Sequence, residues 1–138
     1  MNLEKIVSVT GMPGLYRVIG NRSNGLIIED MDSGKRRFAA SRQYQFTPLE
    51  SLAIFTDDGE SIELKKVFEL MLAAMAETPV VAADASSDQL FAYFGSILPN
   101  YDRDRVHTGD VKKVIKWFAF LHAKGALTSE AVADEEEA

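Results

Sequence analysis

The period of the apolar residues switches near Gly59, and no other feature narrows the fold as much. Upstream of it the chain reads as short strands between turns. GLYRVIG (14–20) sets Leu15, Arg17 and Ile19 on one side and Tyr16 and Val18 on the other. NRSNG (21–25) follows, with Asn24-Gly25 as a hairpin signal because both residues tolerate positive φ. LIIEDM (26–31), the small polar turn DSG (32–34) and KRRFAA (35–40) continue the series. QYQFTPL (43–49) and LAIFT (52–56), split by Pro48, end at DDG (57–59). Turn signals every ~8–12 residues predict a small antiparallel barrel or sandwich.

Downstream the spacing becomes helical. SIELKKVFELMLAAMAE (61–77) repeats Leu64, Val67, Phe68, Met71, Leu72 and Met75 as one face, and Pro79 ends it. SSDQLFAYFGSIL (86–98) predicts a second helix, capped by Ser86 or Ser87, with Leu90, Phe91, Phe94, Ile97 and Leu98 as its apolar stripe. TGDVKKVIKWFAFLHAKG (108–125) predicts a third, with Thr108 as N-cap and Gly125 as the stop. Strands followed by helices make an α+β chain. The boundaries implied are a β domain over 1–60, a helical domain over 61–128 and a disordered acidic tail over 129–138.

Charge narrows the function classes. The chain of 138 residues carries a formal net charge of −6, distributed unevenly: residues 1–49 hold seven basic and four acidic side chains, and residues 129–138 hold five acids and no base. An acidic total disfavours non-specific binding to nucleic acid, where phosphate neutralisation supplies most of the affinity. With no cysteine, thiolate metal sites, disulfides and thiol nucleophiles are all excluded. The start, MNLEKIVSVTGMPG, lacks the basic region and long apolar run of a secretory signal, and no window suits a membrane span. A soluble cytoplasmic protein is expected.

Two basic clusters remain as candidate binding residues. GKRRF (34–38), beside a turn, offers Lys35, Arg36, Arg37 and Phe38, and Tyr16 and Arg17 lie on a neighbouring strand. On the last predicted helix a wheel begun at Val111 gathers Val114, Ile115, Phe118 and Leu121 on the core face, with His122 near its middle. Lys112, Lys113, Lys116 and Lys124 fall opposite, with Phe120 among them and Trp117 at the border. A ring between cations stacks on a base or fills a partner's pocket; an ordinary solvated face is the plainer alternative. In YDRDRVH (101–107) the spacing of Asp102, Asp104 and His107 fits no metal-ligand pattern, so local ion pairs are expected there. TDDGE (56–60) reads as turn chemistry. No G-x-S-x-G elbow, phosphate loop or dinucleotide fingerprint occurs.

PGLY, the NG turn before LIIE, KRRF, and DRV with D-x-KK and KWF further on together resemble a family of small bacterial proteins of unknown function. The resemblance runs from residue 2 to about 125. It implies an SH3-like antiparallel β-barrel followed by a three-helix C-terminal domain, and brings no catalytic residue, cofactor or metal with it.

The expectation is a non-enzymatic interaction module for a protein or peptide partner. Its candidate contacts are Tyr16, Arg17, Lys35, Arg36, Arg37, Phe38, Lys113, Lys116, Trp117 and Phe120. RNA or DNA binding through the same residues is the alternative, and a small metal-dependent hydrolase the remote one. No membrane contact is expected, and both monomer and homodimer stay open.

Overall fold

The computed structural model describes residues 3–12, 14–125 and 127, and the predicted acidic tail over 129–138 lies outside them. The chain divides into two compact units at Ser51/Leu52. This is earlier than the 60/61 boundary read from the change of period. The reason is a second hairpin, which belongs with the helices although its residues are extended.

The N-terminal unit, Leu3–Ser51, is built on strands β1 (Ile6–Val9), β2 (Tyr16–Arg22), β3 (Gly25–Asp30), β4 (Arg36–Ala40) and β5 (Phe46–Pro48), followed by a 3₁₀ turn at Leu49–Ser51. They form one five-stranded sheet in the order β4-β3-β2-β1-β5, and every neighbouring pair is antiparallel. The β2–β3 register slips between Val18 and Gly20, so Ile19 is an extra residue that bends β2. Val7, Val9, Tyr16, Ile28 and Ala39 make a core, with Met12, Val18, Leu26, Tyr44 and Phe46 packed against it. Strand β1 escapes a reading by alternation because Ile6, Val7 and Val9 are all buried.

Two turns show different chemistry. Between β3 and β4, Asp30 Oδ1 accepts from the Asp32 and Ser33 N–H groups (2.8 and 3.4 Å), and Gly34 takes φ 76°. The β2–β3 loop is Ser23-Asn24, one residue before the expected pair, and neither Asn24 nor Gly25 has positive φ. Gly25 is required for another reason: a Cβ there would strike the Ala39 carbonyl oxygen and the Phe38 ring. Lys5 is the one described non-glycine residue at positive φ (65°), and its carbonyl accepts from Val18 N–H at 2.8 Å.

The C-terminal unit opens with the hairpin β6 (Ala53–Phe55) and β7 (Ser61–Glu63). SIE therefore extends as a strand instead of starting the first helix, and α1 spans Leu64–Ala74. α2 (Ser87–Ile97) is fixed by a reciprocal cap: Ser86 Oγ accepts from Gln89 N–H, and Gln89 Oε1 accepts from Ser86 N–H, both at 3.2 Å. α3 (Thr108–Ala123) has His107, not Thr108, at its N-cap, because Asp110 Oδ2 reaches back to accept from His107 N–H at 3.0 Å. Gly125, at φ 71°, follows its end. Phe68 and Phe118, both fully buried, meet with ring centroids 5.9 Å apart.

Tyr93 of α2 is buried, and its hydroxyl has no hydrogen-bond partner among the described residues. Burial pushes its phenol up from 10.0 to about 12. The folded chain thus holds this proton more tightly than the unfolded chain. The associated stability is complete below about pH 10 and is lost as pH rises towards about 12. Tyr93→Phe is expected to abolish that alkaline component in melting curves recorded against pH. At neutral pH it should leave stability unchanged or raise it by up to about 1 kcal/mol, since an unsatisfied hydroxyl disappears.

Candidate interaction surfaces

In the N-terminal unit the pleat of β4 splits the basic cluster. Arg37 and Ala39 share the core side, opposite Ile28 and Leu26, whereas Arg36, Phe38 and Ala40 share the outer side, opposite Glu29, Ile27 and Gly25. Arg36 Nε donates to Glu29 Oε2 at 3.0 Å. Arg37 lies 5.8 Å from the Tyr44 ring centroid, and its Nη2 is 3.4 Å from the Tyr44 hydroxyl. A single basic rim is therefore not formed by these two arginines. Arg17 is exposed and faces Glu29 across β2–β3, and Lys35 is exposed in the preceding loop. Tyr16 is corrected from surface to core: it is 5% exposed and packs with Val7, Val9, Ile28 and Ala39. Burial and nearby Asp30 raise its pKa, in that order, against a lowering by Arg37.

Phe38 is 42% exposed and covers the gap that Gly25 leaves in the facing strand. Beside it opens a cleft of ≈ 350 Å³ lined by Asn24, Phe38, Ala40, Ser41 and Arg42. Asn24 and Arg42 were not expected in a site. Their signal is topological: the Ser23-Asn24 loop and the turn after β4 meet through Ser41 N–H, which donates to the Asn24 carbonyl at 2.9 Å.

In the C-terminal unit the arginines of YDRDRVH are fastened to rings. Arg103 stacks 4.4 Å from the Tyr101 centroid, and Arg105 lies 4.9 Å from that of Phe55. Arg105 Nε also approaches Asp102 Oδ2 at 3.6 Å. The expected ion pairing is thus present in part, with aromatic platforms added. Tyr101 is buried, and its neighbours extend the β6 edge: Asp57 N–H donates to Asn100 C=O (2.8 Å) and Asp102 N–H to Phe55 C=O (2.9 Å). At the β6–β7 turn Asp58 accepts from the Thr56 hydroxyl at 2.6 Å and from Glu60 N–H at 3.1 Å, and these bonds hold its carboxyl below the usual range. Among the described residues no group of three or more His, Asp or Glu side chains is placed to hold a metal.

α3 carries the most continuous candidate surface. Val111, Val114, Ile115, Phe118 and Leu121 are buried. Lys112, Lys113, Lys116 and Lys124 are exposed on the opposite side, with Phe120 half-buried among them and Trp117 half-buried at the border. Lys124 Nζ lies 5.7 Å from the Phe120 ring centroid. Four cations and one ring thus share one face, with a second ring at its edge, and Asp110 at its margin is committed to the cap. His122, expected in the core, is exposed: at the last turn it stacks on Phe118 from outside, centroids 5.7 Å apart and planes 10° from parallel.

A sheet unit followed by a hairpin-and-helix unit, with these surfaces, defines a two-part α+β protein. Comparison with known families divides it at the same place: residues 3–49 match the domain of unknown function DUF5606, and residues 52–121 match the domain of unknown function DUF6852. A solution NMR structure of a structural-genomics target from Bacteroides vulgatus is similar, with 38% identity over 92% of this chain and 90% of that one and a TM-score of 0.72. The chain belongs to this two-part bacterial family of unknown function. No protein of curated function matches it. No helix among the described residues is long and apolar enough to cross a membrane.

Proposed function

We propose that the chain is a non-enzymatic interaction module whose α3 face receives an acidic segment of a partner protein. The observation that carries this is the outer face of α3, where Lys112, Lys113, Lys116 and Lys124 surround the half-buried ring of Phe120, with half-buried Trp117 at the border. A solvated helix face needs charge but gains nothing from a large ring at its centre and a second at its edge. Rings flanked by cations provide an apolar anchor and a charge match for carboxylates. The N-terminal unit is read as an SH3-like barrel; the strand order β4-β3-β2-β1-β5, bent at the β2 bulge, supports that reading.

Trp117 is the one tryptophan of the chain, so its emission reports on this face directly. Titration with a glutamate-rich peptide should shift that emission. Lys113→Glu with Lys116→Glu should weaken the binding by about tenfold or more. No binding at low salt would end the proposal. The same face also suits single-stranded nucleic acid, since a ring between lysines stacks on a base. Tighter binding of a mixed oligonucleotide than of the peptide, falling steeply with salt, would put nucleic acid in the partner's place.

A further inference from the structure

β4 is an edge strand of the five-stranded sheet. Asp30 N–H donates to Lys35 C=O (2.8 Å) and Ser41 N–H to Asn24 C=O (2.9 Å). With the β3–β4 register, these bonds place Lys35, Arg37, Ala39 and Ser41 in the hydrogen-bonded positions facing β3. Arg36 and Phe38 therefore aim their backbone N–H and C=O groups away from the sheet, and Ala40 its N–H, while the Ala40 C=O accepts from Gln43 N–H (3.0 Å) and Tyr44 N–H (3.1 Å). β4 is the last strand of the sheet on that side, and its pairing with β3 has neither bulge nor proline. Edges of this kind are usually protected by charge. Here both arginines have partners within the chain, Arg36 with Glu29 on the neighbouring strand and Arg37 with Tyr44 in the segment after β4.

We infer that β4 pairs antiparallel with β4 of a second copy of this chain, with Phe38 on the twofold axis. In that register Phe38 faces its own counterpart, Arg36 faces Ala40, and Arg37 faces Ala39. All outward-aimed residues then oppose one another: the two Phe38 residues exchange both backbone bonds, and each Ala40 N–H meets the other copy's Arg36 C=O. No two arginines stand directly opposite, and the Arg37 pair falls on a diagonal of roughly 7–8 Å. Centring on Arg37 instead would set those like charges face to face. The exposed Phe38 rings close on each other at the centre. A seam five residues long buries less than the ~1,200 Å² of a standard interface, so the dimer is weak and concentration-dependent.

Sedimentation velocity over a concentration series should show monomer and dimer in exchange. Ala40→Pro removes an outward N–H that β3 does not use and leaves Phe38 in place. It should raise the dissociation constant by roughly tenfold or more, because symmetry doubles the lost bond, while circular dichroism stays unchanged. The chain has no cysteine, so Phe38→Cys with a short thiol-to-thiol crosslinker reports this position alone. It should yield covalent dimer, and Ser33→Cys, far from the axis, should not. A monomer up to the solubility limit would overturn the inference. So would a dimer indifferent to Ala40→Pro, or equal crosslinking at the two positions. Lys113→Glu with Lys116→Glu should leave the dimer intact, which separates this result from the α3 proposal.

Discussion

Tyr101→Ala is expected to destabilise the C-terminal unit by about 3–5 kcal/mol, the range for deleting a buried aromatic side chain. The ring is 5% exposed and meets Phe91 in a stack (6.1 Å, 12°) and Phe94 edge-on (5.3 Å, 69°). Arg103 stacks 4.4 Å from its centroid, and the backbone at 100–102 is bonded to the edge of β6. One truncation therefore opens a cavity against α2 and leaves a guanidinium without its platform. Tyr101→Phe keeps the ring and its stacks, so its loss should stay within about 1 kcal/mol. Urea denaturation of the two variants measures the difference. A loss below about 1 kcal/mol for Tyr101→Ala would mean that the ring is not the anchor described.

Gly25→Ala offers a test of sign. In a strand this change ordinarily stabilises by about 0.4–1 kcal/mol, because alanine restricts the unfolded chain. Here the added methyl meets the Ala39 carbonyl oxygen and comes within 2.8 Å of the Phe38 ring. A flexible ring can swing away, but the carbonyl belongs to the β3–β4 ladder and cannot. The expected outcome is a loss of about 2–3 kcal/mol, typical of overpacking. Gly25→Ala combined with Phe38→Ala should recover only the part due to the ring. Thermal unfolding followed by circular dichroism distinguishes the cases; a net gain for Gly25→Ala alone would contradict the close approach of β4 to β3.

Much of this architecture can be read from residues in sequence, and the failures have physical causes. α2 is found because a serine cap precedes an apolar stripe at helical spacing, and the β3–β4 turn because Asp32, Ser33 and Gly34 are small and polar. β1 is lost because a strand buried on both sides does not alternate. SIE is misassigned because Ile62 and Leu64 suit either period; only pairing with Ala53–Phe55 decides. His122 sits on the core side of a wheel that takes no account of where the core stops along the axis. Of the candidate site, the α3 face follows from spacing alone. The arginines of β4 do not, since neighbours in sequence face opposite ways on a pleat, and Arg42 and Asn24 come together only through the fold.

Among the described residues β1 and β5 are the only sheet neighbours that are not consecutive in the chain. Their seam, Val7 to Val9 against Phe46 to Pro48, must wait for the intervening meander to bring its ends together, at an entropic cost that short hairpins do not bear. The rate of folding of this unit is consequently governed by that last closure, whereas β2, β3 and β4 zip from local turns. Because the three-residue strand β5 holds the longest-range strand pairing of this sheet, amide exchange is expected to begin there.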